Sequence, residues 1–132
     1  LSTTFHRAFD VCRDPFGALE EIIALGFDRI LTSGQEASAP AGSALIAELG
    51  RRAQGRVIIM PGCGVNESNV AQLARATGAE EFHMSARRRV EGGMEYRNER
   101  VSMGGTVTVE EFARDITDPE RVARSIEALR HV

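Results

Sequence analysis

The chain contains no lysine; all 16 of its basic residues are arginine. That excludes a lysine Schiff base within the segment, because no side-chain amine exists to form one. No apolar run approaches the ~18 residues that a membrane-spanning helix needs. The first residues do not run from charged to apolar to small, as a secretory leader does. These absences predict a soluble, cytoplasmic protein with no membrane partner. Cysteine is scarce too, with two in 132 residues, which predicts free thiols rather than a disulfide framework. A net charge of −3 and a pI near 5.6 argue against nucleic acid as a partner.

What remains is enough for one core: 42% of the residues are hydrophobic, and residues 1–132 are read as one domain. One grammar repeats along it. An apolar strand-like run meets turn residues, then a helical pattern that closes on glycine. The predicted strands lie near 2–6, 28–32, 56–60 and 81–84, marked by Phe5, Ile30, Ile58 and Phe82. Their spacing is close to the ~31 residues per βα unit of a ~250-residue (β/α)8 barrel. The first helix has Asp14 as N-cap, Pro15 at its first position and Gly26 after it. A second surrounds Leu45, Ile46 and Leu49. A third starts at Asn66 and ends before Gly78. Thr108 and Glu111 read as a capping box for a short helix through Ile116, and Asp118 with Pro119 starts a last helix facing inward through Val122, Ile126 and Leu129. Strands alternating with helices imply a parallel α/β sheet. The start inside a strand, without an initiator methionine, predicts the last four βα units of a TIM barrel, a half-barrel.

In such folds, sites gather at the carboxyl ends of the strands. Four motifs fall there: "TFHRAFDVC", "LTSGQ", "MPGCGVNESN" and "FHMSAR". If Phe5 and Phe82 face the helices, alternation turns His6 and His83 to the other side, into one cavity with Arg7 or Arg87. A lone strand histidine is otherwise a hydrogen-bonded core residue. Three strand spacings of ~4.8 Å put the two roughly 14 Å apart, so a small molecule fits between them more easily than one ion. Gly62 and Gly64 allow close backbone approach ahead of Asn66, and Arg87, Arg88 and Arg89 add charge, so this turn reads as an anion site. Cys63 within it is either a small buried thiol or a metal ligand. Cys12 and Cys63 follow strands two apart, roughly 10 Å, which is too far for a disulfide. Met60, Met84, Met94 and Met103 are core or loop filler, or soft donors to copper(I). Residues 85–106 carry no periodic pattern and read as a long functional loop, with Tyr96 and Arg97 its most useful side chains.

Together, "TFHRAFD", "RILTSGQ", "IMPGCGV", "EFHMSAR", "GMEYRN" and "MGG" resemble, in order and spacing, the C-terminal half of the CutC copper homeostasis family. That resemblance implies a TIM barrel, a cytoplasmic location, a homo-oligomer and copper, as Cu(I), linked to copper tolerance. Strands one to four of the barrel would be absent from this chain. Cys12 matches a position where bacterial members often carry cysteine, so Cys12, His6 and His83 are the candidate metal ligands. Cys63 stands where the family usually has glycine or alanine. Two functions follow. One is a copper-binding homeostasis protein. The other is an enzyme on a small anionic, phosphorylated substrate, with His6 and His83 as acid–base groups and Gly62, Gly64, Asn66, Arg7, Arg87 and Arg97 holding the anion.

Overall fold

The structure is a computed structural model that describes every residue except Gly105, Thr108 and Val109. Strands β1 (Thr4–Phe5), β2 (Arg29–Thr32) and β3 (Ile58–Pro61) form a parallel sheet in that order. Phe5 lies opposite Ile30, and Ile30 opposite Ile59. Helices α1 (Pro15–Ala24), α2 (Ser43–Ala53) and α3 (Val70–Thr77) follow the three strands in turn. Leu19 and Ile22 of α1, Ile46 and Leu49 of α2, and Val70 and Leu73 of α3 share one buried cluster with Ile30 and Ile59. Phe5 and Phe82 pack against that cluster, on the side that alternation assigns to them.

Local chemistry explains the helix ends. Asp14 accepts hydrogen bonds from the Phe16 and Gly17 amides, each at 3.1 Å, ahead of Pro15. Gly78 closes α3 at φ +69°, a conformation that a Cβ would strain. The start of α3 is later than predicted. Asn66 folds an Asx turn by accepting from the Ser68 amide at 2.9 Å, and regular helix begins only at Val70.

The fourth parallel strand is not formed. Residues 81–84 have no ladder, and the His83 amide makes one bond, 2.9 Å, to the Pro61 carbonyl. The chain instead turns into an antiparallel pair, β4 (Arg87–Glu91) with β5 (Ala113–Thr117). Arg87, Arg88 and Arg89 are therefore strand residues rather than a loop. The helix expected through Ile116 is strand; its proposed cap Thr108 lies outside the described residues. Helix α4 (Pro119–Leu129) starts at Asp118, which accepts from the Glu120 amide at 2.9 Å. Its inward face runs through Ser125 and Leu129, and Ile126 is exposed.

Candidate functional site

Beyond Phe5 the chain leaves the strand for a 3₁₀ turn, Arg7–Val11, and brings Asp10 under β2. The Asp10 carboxylate is almost buried, its side chain 7% exposed. It accepts from Thr32 Oγ1 at 2.5 Å, the Ser33 amide at 3.0 Å, Ser33 Oγ at 3.0 Å and the Gln35 amide at 3.3 Å. Arg7 Nε donates to it at 2.6 Å, and Arg7 Nη2 donates to Ser33 Oγ at 2.9 Å. Burial alone would raise the Asp10 pKa, but the hydrogen bonds from Thr32, Arg7 and Ser33 outweigh it and hold the carboxyl below its ordinary value. The "TSGQ" segment is thus tied to the "FHRAFD" segment through one carboxylate. Gly34 closes the same corner: a Cβ there would meet the backbone of Gly42.

The turn after β3 lies across from Arg7. Cys63 sits at φ +75° without being glycine. Its thiol donates to the Ala37 carbonyl at 3.2 Å, and its own carbonyl accepts from the Ala39 amide at 2.9 Å. Asn69 Nδ2 donates to the Gly64 carbonyl at 2.8 Å and closes the turn. Glu67 in this turn receives Arg121 of α4 at 2.9 and 3.0 Å, and Arg121 Nη1 continues to the Arg87 carbonyl at 2.5 Å. Chiefly through the Arg121 hydrogen bond, the Glu67 carboxyl is held down at about 2.

A cavity of about 440 Å³ opens between these pieces, lined by Arg7, Leu31, Cys63, Gly64, Val65, Asn66, His83, Met84, Ser85 and Arg121. It lies at the carboxyl ends of the strands, where parallel sheets place ligands. The structure therefore brings together Arg7, Gly64, Asn66 and His83, with Cys63 beside them. It does not bring His6 into that lining. His6 is exposed, its ring tilted against that of Phe5, and its Nδ1 accepts from the Ala8 amide at 3.1 Å as the cap of the 3₁₀ turn. Arg87 is on β4, outside the lining. Arg97 belongs to another cavity, of about 490 Å³, with Glu91 at 2.8 Å and the Phe112 ring beneath its guanidinium. Tyr96 is exposed.

Two of the amides expected to hold an anion are already used. The Gly62 amide donates to the Thr32 carbonyl at 2.9 Å, and the Asn66 amide to Asn69 Oδ1 at 2.9 Å. Gly62 matters by its size, since a Cβ there would press on Leu31 Cδ1 and lie 3.3 Å from the His83 Cβ. Nor do the expected metal ligands assemble. Cys12 and Cys63 are free thiols. Cys12 follows the 3₁₀ turn, with Gln35 Nε2 on its carbonyl at 2.7 Å. Burial first, then the Asp14 charge, pushes its thiol pKa up, away from the thiolate a metal needs. Among the described residues no group of three or more His, Cys, Asp or Glu stands ready to hold an ion, so Cys12, His6 and His83 do not form a three-ligand copper site.

Sequence reasoning passed over Asp10, Ser33, Glu67 and Arg121. Asp10 and Ser33 stood inside quoted motifs without a role, and only the fold shows that they meet. Glu67 and Arg121 are 54 positions apart, beyond what periodicity can pair.

Comparison with known proteins fits this geometry. The CutC family model matches residues 1–88. A family protein CutC of Bacteroides fragilis is 57% identical over 129 residues, 98% of this chain and 51% of that protein. A human protein named copper homeostasis protein cutC homolog is 43% identical over 129 residues, 98% of this chain and 47% of its own length. A solved CutC structure from Streptococcus agalactiae superposes with a TM-score of 0.60 at 33% identity, covering 63% of this chain and 41% of the other. The chain spans about half the length of the curated relatives it matches.

Proposed function

The chain belongs to the CutC family, and from that membership we propose that it serves copper homeostasis as part of a longer cytoplasmic protein. The observation that carries this reading is the near-complete match of the chain to relatives of which one is named for copper homeostasis. The larger protein would be a TIM barrel in which β1–β3 and their helices supply successive βα units. In support, one face of the sheet carries all the helix packing, while Leu31, Ile58 and Met60 on the other face are only partly covered. Two reduced thiols suit a reducing compartment, and no helix among the described residues is long and apolar enough to cross a membrane. Assembly into a homo-oligomer belongs to the same reading. Growth on graded copper tests it: cells lacking the gene should show altered copper tolerance, restored by the gene in trans, and unchanged tolerance would overturn the copper role.

A second reading is favoured by one specific observation, that Arg7 and Arg121 line the same cavity as His83. A small anionic substrate would lie against these guanidinium groups with His83 as its acid–base partner. Both arginines already face carboxylates, Asp10 and Glu67, so the anion would have to share them. Titration with inorganic phosphate, followed at the His83 ring protons by NMR, tests this reading; rings that do not respond would remove it.

A further inference from the structure

The turn after β3 carries hydrogen-bonding capacity that the fold does not use. At its ends, the Gly62 and Asn66 amides are taken by the Thr32 carbonyl and Asn69 Oδ1. Between them, the amides of Cys63, Gly64 and Val65 have no hydrogen-bond partner among the described residues. The carbonyls, by contrast, are engaged. That of Cys63 accepts from the Ala39 amide at 2.9 Å and that of Gly64 from Asn69 Nδ2 at 2.8 Å. The turn is thus held by its carbonyls and leaves three successive amides unpaired, with Cys63 and Gly64 both at φ +75°. Successive amides in a turn of this kind make an anion-binding concavity. All three residues line the 440 Å³ cavity, and so does Arg7. Arg7 spends Nε on Asp10 and Nη2 on Ser33, while its Nη1 has no partner among the described residues. The Arg7 pKa is raised first by the Asp10 hydrogen bond and, against the effect of burial, by the Cys63 sulfur, which puts the guanidinium beside the turn.

We propose that this turn binds a terminal phosphate group, with the Cys63, Gly64 and Val65 amides and Arg7 Nη1 donating to its oxygens. A phosphate presents three terminal oxygens to three amides, where a carboxylate presents two. Net charge does not draw the ligand in, because Arg7 and Arg121 are balanced by Asp10 and Glu67. Directed N–H groups must hold it instead, and hydrogen bonds to a charged acceptor are the strong ones. Arg7 can join without releasing Asp10, which keeps Thr32, Ser33 and Gln35 as further donors. Two sources carry such a group, a small phosphate monoester and free phosphate. The volume favours the monoester: the cavity is of small-molecule size, and Leu31 in its lining offers an apolar wall to an organic part. The site rests on the anionic-substrate reading above and names its ligand, but it needs no proton transfer by His83.

The test is a titration of the full-length protein, labelled with nitrogen-15, followed at its backbone amides by NMR. Glycerol 3-phosphate, inorganic phosphate and acetate are the probes. The Cys63, Gly64 and Val65 signals should move together with either phosphate, saturate with one dissociation constant, and stay still in acetate. Tighter binding of the ester would identify a monoester as the ligand, and equal affinity would identify free phosphate; either result supports the site. Arg7→Gln should weaken binding at least about tenfold, the usual scale for one hydrogen bond to a charged group. Arg97→Gln, in the other cavity, should leave it unchanged. Circular dichroism checks that each variant is folded, and the wild-type amide map decides should Arg7→Gln not be. Amides unmoved by both phosphates, or full affinity in folded Arg7→Gln, would overturn the site. Moving amides with silent His83 ring protons would keep the site and remove the acid–base role. Moving ring protons with silent amides would keep that role and overturn the site.

Discussion

Asp10 shows how much one residue can organise. Five donors from two segments converge on a carboxylate that is nearly out of solvent. Replacing it with asparagine removes the charge opposite Arg7 and puts donors where acceptors are needed. Because Arg7 is half-exposed, the cost should be about 2–3 kcal/mol, below the usual loss for a fully buried pair, read as a shift in denaturant midpoint. The sign of the pH effect follows from the depressed pKa. The stability that Asp10 contributes is complete above its ordinary value near 4, and is lost as pH falls through the lower folded value. The gap between wild type and Asp10→Asn should therefore be constant from pH 7 to 5 and narrow below about 4; a gap that widens in acid would contradict this. Cys63 makes the opposite case. At φ +75° a non-glycine residue is strained by roughly 1–2 kcal/mol, so Cys63→Gly should stabilise the fold by roughly 0.5–1 kcal/mol after the added unfolded-state entropy. The motifs displayed Cys63, His83 and Arg7 in the sequence because each sits at or just past the carboxyl end of a predicted strand. The role of Asp10 was not legible there, since a carboxylate in a motif looks the same whether buried or solvated.

Elements were legible where a local signal fixed them. Asp14 with Pro15 fixed α1, and Asp118 with Pro119 fixed α4, because a cap and a missing amide act within one turn. The β4–β5 pair was not, since "RRRVE" reads as a solvated charge run and its partner strand lies 26 residues on. Long-range pairing has no local signature. Glycine gives a direct test at this scale. Gly50 sits inside α2 with only the Thr77 carbonyl near, 3.8 Å from a built Cβ. Gly50→Ala should stabilise the protein by about 0.5–1 kcal/mol through helix propensity. Gly42, just before α2, would drive its Cβ into the Ser33 carbonyl and the Gly34 backbone. Gly42→Ala should destabilise by more than about 2 kcal/mol, because backbone cannot rotate away. Helix α4 is held to the β3 turn by Glu67, which receives Arg121 and, at 3.3 Å, Arg124. With that carboxyl held down to about 2, the clamp should persist well below the usual carboxylate range and release only near pH 2. Glu67→Gln should speed hydrogen exchange in α4 at neutral pH while leaving α1 unchanged; equal rates in α4 would mean that packing by Leu129 suffices.

At the scale of the whole molecule, the parallel sheet is one-sided. Ile30, Thr32, Ile59 and Pro61 are buried on the helix face, while Leu31, Ile58 and Met60 on the opposite face keep contact with solvent, Ile58 at 37%. A strand alternates, so Ile30 belongs to the core while Ile58 on the neighbouring strand faces the open side. Beside β1 no further strand pairs among the described residues, and beside β3 a single backbone bond to His83 stands where a ladder would be. Apolar surface next to unpaired strand groups favours association. The 132-residue chain alone should bind a hydrophobic dye and sediment as a dimer or larger. Ile58→Thr should reduce dye binding at little cost in stability, since the side chain is already more than a third exposed. Supplying the remaining half of a family member in trans should suppress both dye binding and self-association, because it would offer strands to the open edges and cover Leu31, Ile58 and Met60. A dye-silent monomer would show that three parallel strands under a single helical layer are sufficient by themselves.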